Sequence, residues 1–260
     1  MPNFVQETAK LSTGTVTYLK GGSGPAILHL HSALGPRVSP ALEALAARHT
    51  IYIPTLPGFN GTAAHDGMTT MKDLAGVAAA FVEKAIGKNC DVVAESFGGW
   101  VAMWLAVSRP DLVDQLVLEA PGGMRTKGVG GLPPDPAERD RKIHAIAERM
   151  PKDARYAEVL PGNFKAAAGF SGGETLDAEL LKLLPSIKAR TLLLFGTRDE
   201  VTPADDVGRR LKAGIPSAHL SYIYNAAHAV EFDQPERVAR LVGAFLERGE
   251  AFVVRTADVA

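Results

Sequence analysis

The chain has 260 residues, 46% hydrophobic and 22% charged, which suits one large core and excludes a disordered or fibrous protein. Its 28 basic and 29 acidic residues nearly cancel, with no block of like charge, which argues against nucleic acid as a partner. The single cysteine, Cys90, excludes an intramolecular disulfide and a thiolate metal cluster.

The start, Met1-Pro2-Asn3-Phe4-Val5-Gln6-Glu7, has no basic stretch followed by an apolar one, and no later apolar run is long enough to span a bilayer. A soluble, cytoplasmic protein with no membrane partner is the expectation. Segments rich in β formers, Phe4 to Leu11 and Thr15 to Leu19, flank Ser12-Thr13-Gly14 and predict a hairpin, followed by a Gly-rich break at Gly21 to Pro25. Short apolar runs predict strands at Ala26 to His31, Thr50 to Pro54, Asp91 to Glu95, Leu116 to Glu119, Thr191 to Phe195 and Leu220 to Tyr224. Between most of them, apolar residues spaced three and four apart predict helices at Pro40 to Arg48, Met71 to Ile86, Phe97 to Ser108, Ala204 to Ala213 and Pro235 to Glu247. Such alternation is the pattern of an α/β fold, a mostly parallel twisted sheet covered by helices on both faces. The alternation lapses from Gly122 to Ser186, which holds Pro133-Pro134, a charged helical pattern from Pro136 to Met150 and a helix around Leu176 to Leu184, but no strand. The expected organisation is a core made of 1–121 and 187–260, with 122–186 inserted as a helical cap over the sheet edge.

The strongest local signal is Asp91-Val92-Val93-Ala94-Glu95-Ser96-Phe97-Gly98-Gly99-Trp100. A serine sits where an apolar strand meets a helical pattern, with small residues two positions to either side. A sharp strand-to-helix turn that pushes a hydroxyl out of the sheet needs small neighbours, and Ala94 and Gly98 meet that need. The turn also puts the Phe97 amide at a helix N-terminus, where a developing negative charge is favoured. Further on, Asp199 follows Leu192-Leu193-Leu194-Phe195-Gly196-Thr197-Arg198 and precedes Glu200-Val201-Thr202-Pro203, and His228 lies in the loop before the last helix. Taken locally, Asp199, Thr202 and Asp205 are equally readable as helix caps. His49, His65, His144 and His219 read as exposed loop histidines, and His29 as packed in its strand.

Together these segments resemble the α/β-hydrolase superfamily. Leu28-His29-Leu30-His31-Ser32-Ala33-Leu34-Gly35 is similar to its His-Gly-x loop, Pro54-Thr55-Leu56-Pro57-Gly58-Phe59-Asn60-Gly61-Thr62 to its Pro-Asp-Leu-Pro-Gly-x-Gly-x-Ser loop, and Gly196 to Pro203 to its Gly-x-x-Asp-x-Val-x-Pro segment. The likeness runs from about Gly14 to Leu246, with the order Ser…Asp…His that this fold uses. It departs at Ala94 and Ser32, where glycine is usual, and at Thr55, where aspartate is. The resemblance implies a serine hydrolase with Ser96 as nucleophile, His228 as base and Asp199 as the acid that orients it. It implies an oxyanion hole of the Ala33 and Phe97 amides, a positioning role for His31, and no metal or organic cofactor. The cap residues Met124, Leu132, Phe164 and Phe170, with Ser32, Val201 and Val230, are expected to line the pocket of a small-molecule substrate. An ester or lactone is the first expectation for the substrate. A carbon–carbon bond in a ring-cleavage product is the second, and a lyase or ligand-sensing receptor is the rival from another class.

Overall fold

The computed structural model describes residues 3–151 and 153–253; Met1 and Pro2 of the opening stretch lie outside them. Strands β1 (Val5–Leu11) and β2 (Gly14–Gly22) form the expected hairpin, with Leu11 opposite Gly14. They lead into β3 (Ala26–Leu30), β4 (Thr50–Pro54), β5 (Cys90–Glu95), β6 (Val113–Glu119), β7 (Arg190–Gly196) and β8 (Ala218–Ile223). One eight-stranded sheet results, in the order β1-β2-β4-β3-β5-β6-β7-β8. Its β1–β2 and β2–β4 pairs are antiparallel and the rest parallel. Strand β6 begins three residues before its apolar run, at Val113 rather than Leu116, because exposed Asp114 and polar Gln115 interrupt the pattern. Gln115 is nonetheless buried, its Nε2 donating to the Leu246 carbonyl at 2.8 Å.

Alternate residues of the central strands feed two cores, as a sheet covered on both faces requires. Leu28, Val92, Leu116 and Leu193 pack with helices α2 (Met71–Phe81) and α3 (Phe97–Ser108). Ile27, Val93, Val117 and Leu194 pack with α1 (Pro40–Leu45) and, late in the chain, α9 (Pro235–Arg248). Helix α3 is buried from Phe97 to Ala106 on all sides, which explains an apolar run with little amphipathic contrast.

Three helices occupy the stretch between β6 and β7: α4 (Pro136–Ile143), α5 (Ala154–Ser171) and α6 (Ala178–Leu183). The charged pattern expected to run as one helix to Met150 stops at His144. Helix α5, 18 residues long, has no counterpart in the sequence reading, because Pro161 lies inside it and Gly162 and Gly169 punctuate it. A tertiary clamp holds it in place. Fully buried Asn163 accepts from the Asn60 amide (2.7 Å) and donates to the Leu34 carbonyl and to Asn60 Oδ1 (3.0 Å each). Gly35, with φ of 92°, passes so close that a Cβ would come 2.6 Å from Asn163 Nδ2. Beyond β7 lie α7 (Arg209–Gly214), preceded by one wide turn at Ala204–Gly208, and α8 (Val230–Asp233). No helix among the described residues is long and apolar enough to cross a membrane.

Candidate active site

Strand order reverses between β3 and β5, and crevices at such a switch point lie outside the carboxyl ends of the strands. Ser96 stands there, between the last residue of β5 and the first of α3, with φ of 51° and ψ of −111°. That conformation costs a non-glycine residue about 1–3 kcal/mol and survives only where its surroundings enforce it. Here the Ser96 amide donates to the Glu119 carbonyl (2.8 Å), and the Ser96 carbonyl accepts from the Gly122 amide (2.8 Å). Gly98 lets α3 lie directly on the end of β3: an added Cβ would run into the Leu30 carbonyl and come 2.6 Å from that of His31. Because backbone cannot swing aside as a side chain can, Gly98→Ala is expected to cost about 2–3 kcal/mol, read as a lowered midpoint in urea unfolding.

Two distant loops meet the serine. His228 Nε2 is 2.8 Å from Ser96 Oγ, and His228 Nδ1 is 3.0 Å from Asp199 Oδ2. Asp199 Oδ1 accepts from the Val201 (2.8 Å) and Thr202 (3.0 Å) amides, so its carboxylate is locked by its own loop. Burial opposes charge on both partners, yet the attraction between them and their hydrogen bond outweigh it. Asp199 is held below the ordinary carboxylate value; His228 is held above the ordinary imidazole value, with the nearby Glu95 charge adding to the effect. Thr202, read from sequence only as a helix cap, joins this hydrogen-bonded row. Its Oγ1 lies 3.0 Å from Asp199 Oδ2, 3.1 Å from the Ala120 carbonyl and 3.3 Å from His228 Nδ1.

The amides of Ala33 and Phe97 donate no hydrogen bond among the described residues. Phe97 is free because it opens a helix. His31 is wedged beneath the Ala33 loop. Its Nε2 accepts from the Leu56 amide (3.1 Å), which leaves the proton on Nδ1 to be donated to the Ser32 carbonyl (2.7 Å). Burial pushes its basicity down to about 3, so it stays neutral and positions two loops. Ser32 turns its hydroxyl toward the loop and accepts from the Leu34 amide at 3.4 Å.

The other nominated residues are dispersed. Phe164 lines a cleft of about 710 Å³ that reaches Leu34, Ile143 and His144. Phe170 lines a separate groove with Gly58 and Met68, Leu132 is exposed, Met124 is fully buried and bridges to Leu176, and Val230 sits in the core facing α9. Val201 is buried and gives its amide to Asp199. Two histidines expected to be exposed are buried, at 4% (His49) and 7% (His144) accessibility. His49 folds back on the Leu45 carbonyl as α1 ends, and the Phe232 ring meets His144 edge-on.

Behind the serine, sequence reasoning missed a row of buried charge. Glu95 and Glu119 are register partners on β5 and β6, and Glu231 of α8 faces His29 of β3 at 3.2 Å. All four are buried, though among the described residues no three or more such groups could hold a metal ion. Neither carboxyl oxygen of Glu119 has a hydrogen-bond partner among the described residues. Burial, then the Glu231 and Glu95 charges, raise its affinity for a proton well above the ordinary value. An acid whose proton is held more tightly when folded stabilises fully below its unfolded pKa, and that contribution is lost as pH rises through the folded one. Glu119→Gln should therefore leave stability at pH 4 little changed and add about 1 kcal/mol or more at pH 8, a rise in Tm of about 2–4 °C by calorimetry.

The sheet order, the strained strand-to-helix turn at Ser96 and the hydrogen-bonded row beside it point to a class. The chain belongs to the Alpha/beta hydrolase family, whose model matches residues 22–241, and is a hydrolase of that family. Among curated relatives, a 2-hydroxy-6-oxononadienedioate/2-hydroxy-6-oxononatrienedioate hydrolase of Pseudomonas sp is 26% identical, covering 94% of this chain and 96% of its own. A pimeloyl-[acyl-carrier protein] methyl ester esterase of Neisseria meningitidis serogroup B is 29% identical over 63% of this chain and 71% of its own. A crystal structure of a membrane phospholipase A, a bacterial virulence factor, superposes with a TM-score of 0.79 at 20% identity, covering 94% of this chain and 86% of that one.

Proposed function

We propose that the protein is a serine hydrolase that cleaves a small ester or lactone through an acyl-enzyme, with Ser96, His228 and Asp199 as its triad. The observation that carries this reading is the unbroken chain of contacts at 2.8 and 3.0 Å from Ser96 Oγ through the imidazole to Asp199. In the mechanism, Ser96 Oγ attacks the carbonyl carbon while its proton passes to His228 Nε2. The Ala33 and Phe97 amides hold the oxyanion, each such donor worth about 3 kcal/mol at the transition state. The tetrahedral adduct collapses, His228 gives its proton to the leaving oxygen, and the same imidazole then activates water to release the acid. Residues 122–186 act as the cap, with Phe164 near the mouth.

Attack on a ketone flanked by an electron sink is the second reading, favoured by the Pseudomonas relative that spans nearly the whole chain. The test is labelling with a fluorophosphonate, located by mass spectrometry, followed by a panel of short esters and lactones against a vinylogous diketone. Labelling at Ser96 with ester or lactone turnover supports the first reading, and decay of the coloured dienol alone selects the second. Stoichiometric labelling without turnover of any of them would point to a ligand-sensing receptor, and no labelling would sink all three.

A further inference from the structure

Arg37 lies four residues past Ala33, in the loop that leads to α1. Its guanidinium lies over two rings, 4.6 Å from the centroid of Tyr156 in α5 and 4.6 Å from that of Phe232 in α8. Stacking satisfies the faces of a guanidinium but none of its in-plane donors. Both terminal nitrogens of Arg37 are buried and donate to nothing among the described residues. An unpaired charged donor out of water is costly, and a leucine or methionine would fill the space without that cost.

The surroundings say what would complete it. Arg37, Thr55 and Asn60 line a cleft of about 390 Å³, which shares Pro151, Asp153 and Tyr156 with the larger cleft at Phe164. Phe232 packs in one small cluster with Leu34 and Ala229, the residues next to Ala33 and His228. Arg37 is thus one packed side chain, Phe232, away from residues that adjoin Ala33 and His228.

We propose that Arg37 anchors the carboxylate of an acid-bearing substrate, its planar fork gripping both oxygens while the apolar remainder runs past Leu34 and Phe164 toward Ser96. A monoanion fits better than a phosphate dianion, because one guanidinium supplies a single positive charge and a fork of two parallel donors that matches one carboxylate. The cleavage part of this proposal rests on the serine-hydrolase reading, whereas the anion site does not.

Two arms separate them. Titration calorimetry of hexanoate into the whole protein should show binding that weakens about tenfold or more in Arg37→Met, with Arg37→Lys between the two because charge without the fork is kept. In the kinetic arm, the ratio of kcat/KM for p-nitrophenyl hemiadipate over p-nitrophenyl hexanoate should fall about tenfold or more in Arg37→Met. The proposal is overturned if wild-type protein binds no hexanoate up to about 50 mM, if phenyl phosphate binds more tightly than hexanoate, or if the ratio does not move. Should Arg37→Met fail to fold, Arg37→Lys and the wild-type titrations decide alone. Hexanoate binding without fluorophosphonate labelling at Ser96 would sink the hydrolase reading and leave the anion site standing.

Discussion

Ser96→Ala should lower kcat toward an activated ester by about 10⁶-fold and abolish fluorophosphonate labelling, while the unfolding midpoint should stay close to wild type. On the serine-hydrolase reading the loss is large because the hydroxyl is the group that bonds to carbon, and Ser96 Oγ is the atom 2.8 Å from His228 Nε2. The midpoint holds for a separate reason. The backbone at φ of 51° is enforced by the Glu119 carbonyl and Gly122 amide, contacts that alanine keeps. Residual turnover a thousandfold or so above water would remain, supplied by amide donors aimed at the oxyanion. Stopped-flow assay of both proteins on p-nitrophenyl acetate measures the drop, and turnover within tenfold of wild type would remove Ser96 from the mechanism.

Asp199→Asn should cost about 10⁴-fold in kcat with the geometry intact. The argument is one of tautomers. Oδ1 accepts from two backbone amides, so an asparagine keeps its oxygen there and turns its NH₂ toward His228. Facing a donor, Nδ1 must become the acceptor, and Nε2 then carries the proton and points it at Ser96. A protonated Nε2 cannot take the serine's proton. The pH profile carries a second signature. Wild-type His228 is held above the ordinary imidazole value because the Asp199 charge outweighs burial, so the acid limb of kcat/KM lies above pH ~6.5. Without that charge burial prevails, and the limb should move to lower pH. A limb that stays in place on stopped-flow measurement would mean that Asp199 does not govern the imidazole.

Much of this was legible in the residues themselves. The hairpin, the strands and the run of α3 follow from period and composition, and the elbow from a serine placed between a strand and a helix with Ala94 and Gly98 beside it. Errors fell where a distant partner overrules local preference. Pro161 and the nearby glycines read as breaks, yet α5 runs through them because Asn163 is clamped to Leu34 and Asn60, more than a hundred residues away in sequence. His144 read as exposed until Phe232 covers it. The Glu95–Glu119 pair was invisible because neither strand announces its register, and nothing in the sequence sets Arg37 apart, because its two rings come from segments far along the chain.

The sequence by itself determined the alternation that makes a parallel sheet, the steric opening for a serine above its edge, and the chain order of the reactive groups. Those are local matters, settled by side-chain volume, backbone freedom and spacing. Only the tertiary structure decided that Ser96, Asp199 and His228 share hydrogen bonds, that Thr202 joins them, and that the Glu119 carboxyl and the terminal nitrogens of Arg37 have no hydrogen-bond partner among the described residues. Burial and the distance between charges depend on which segments come to lie against each other, and those determine whether a group is a base, a brace or a binding site.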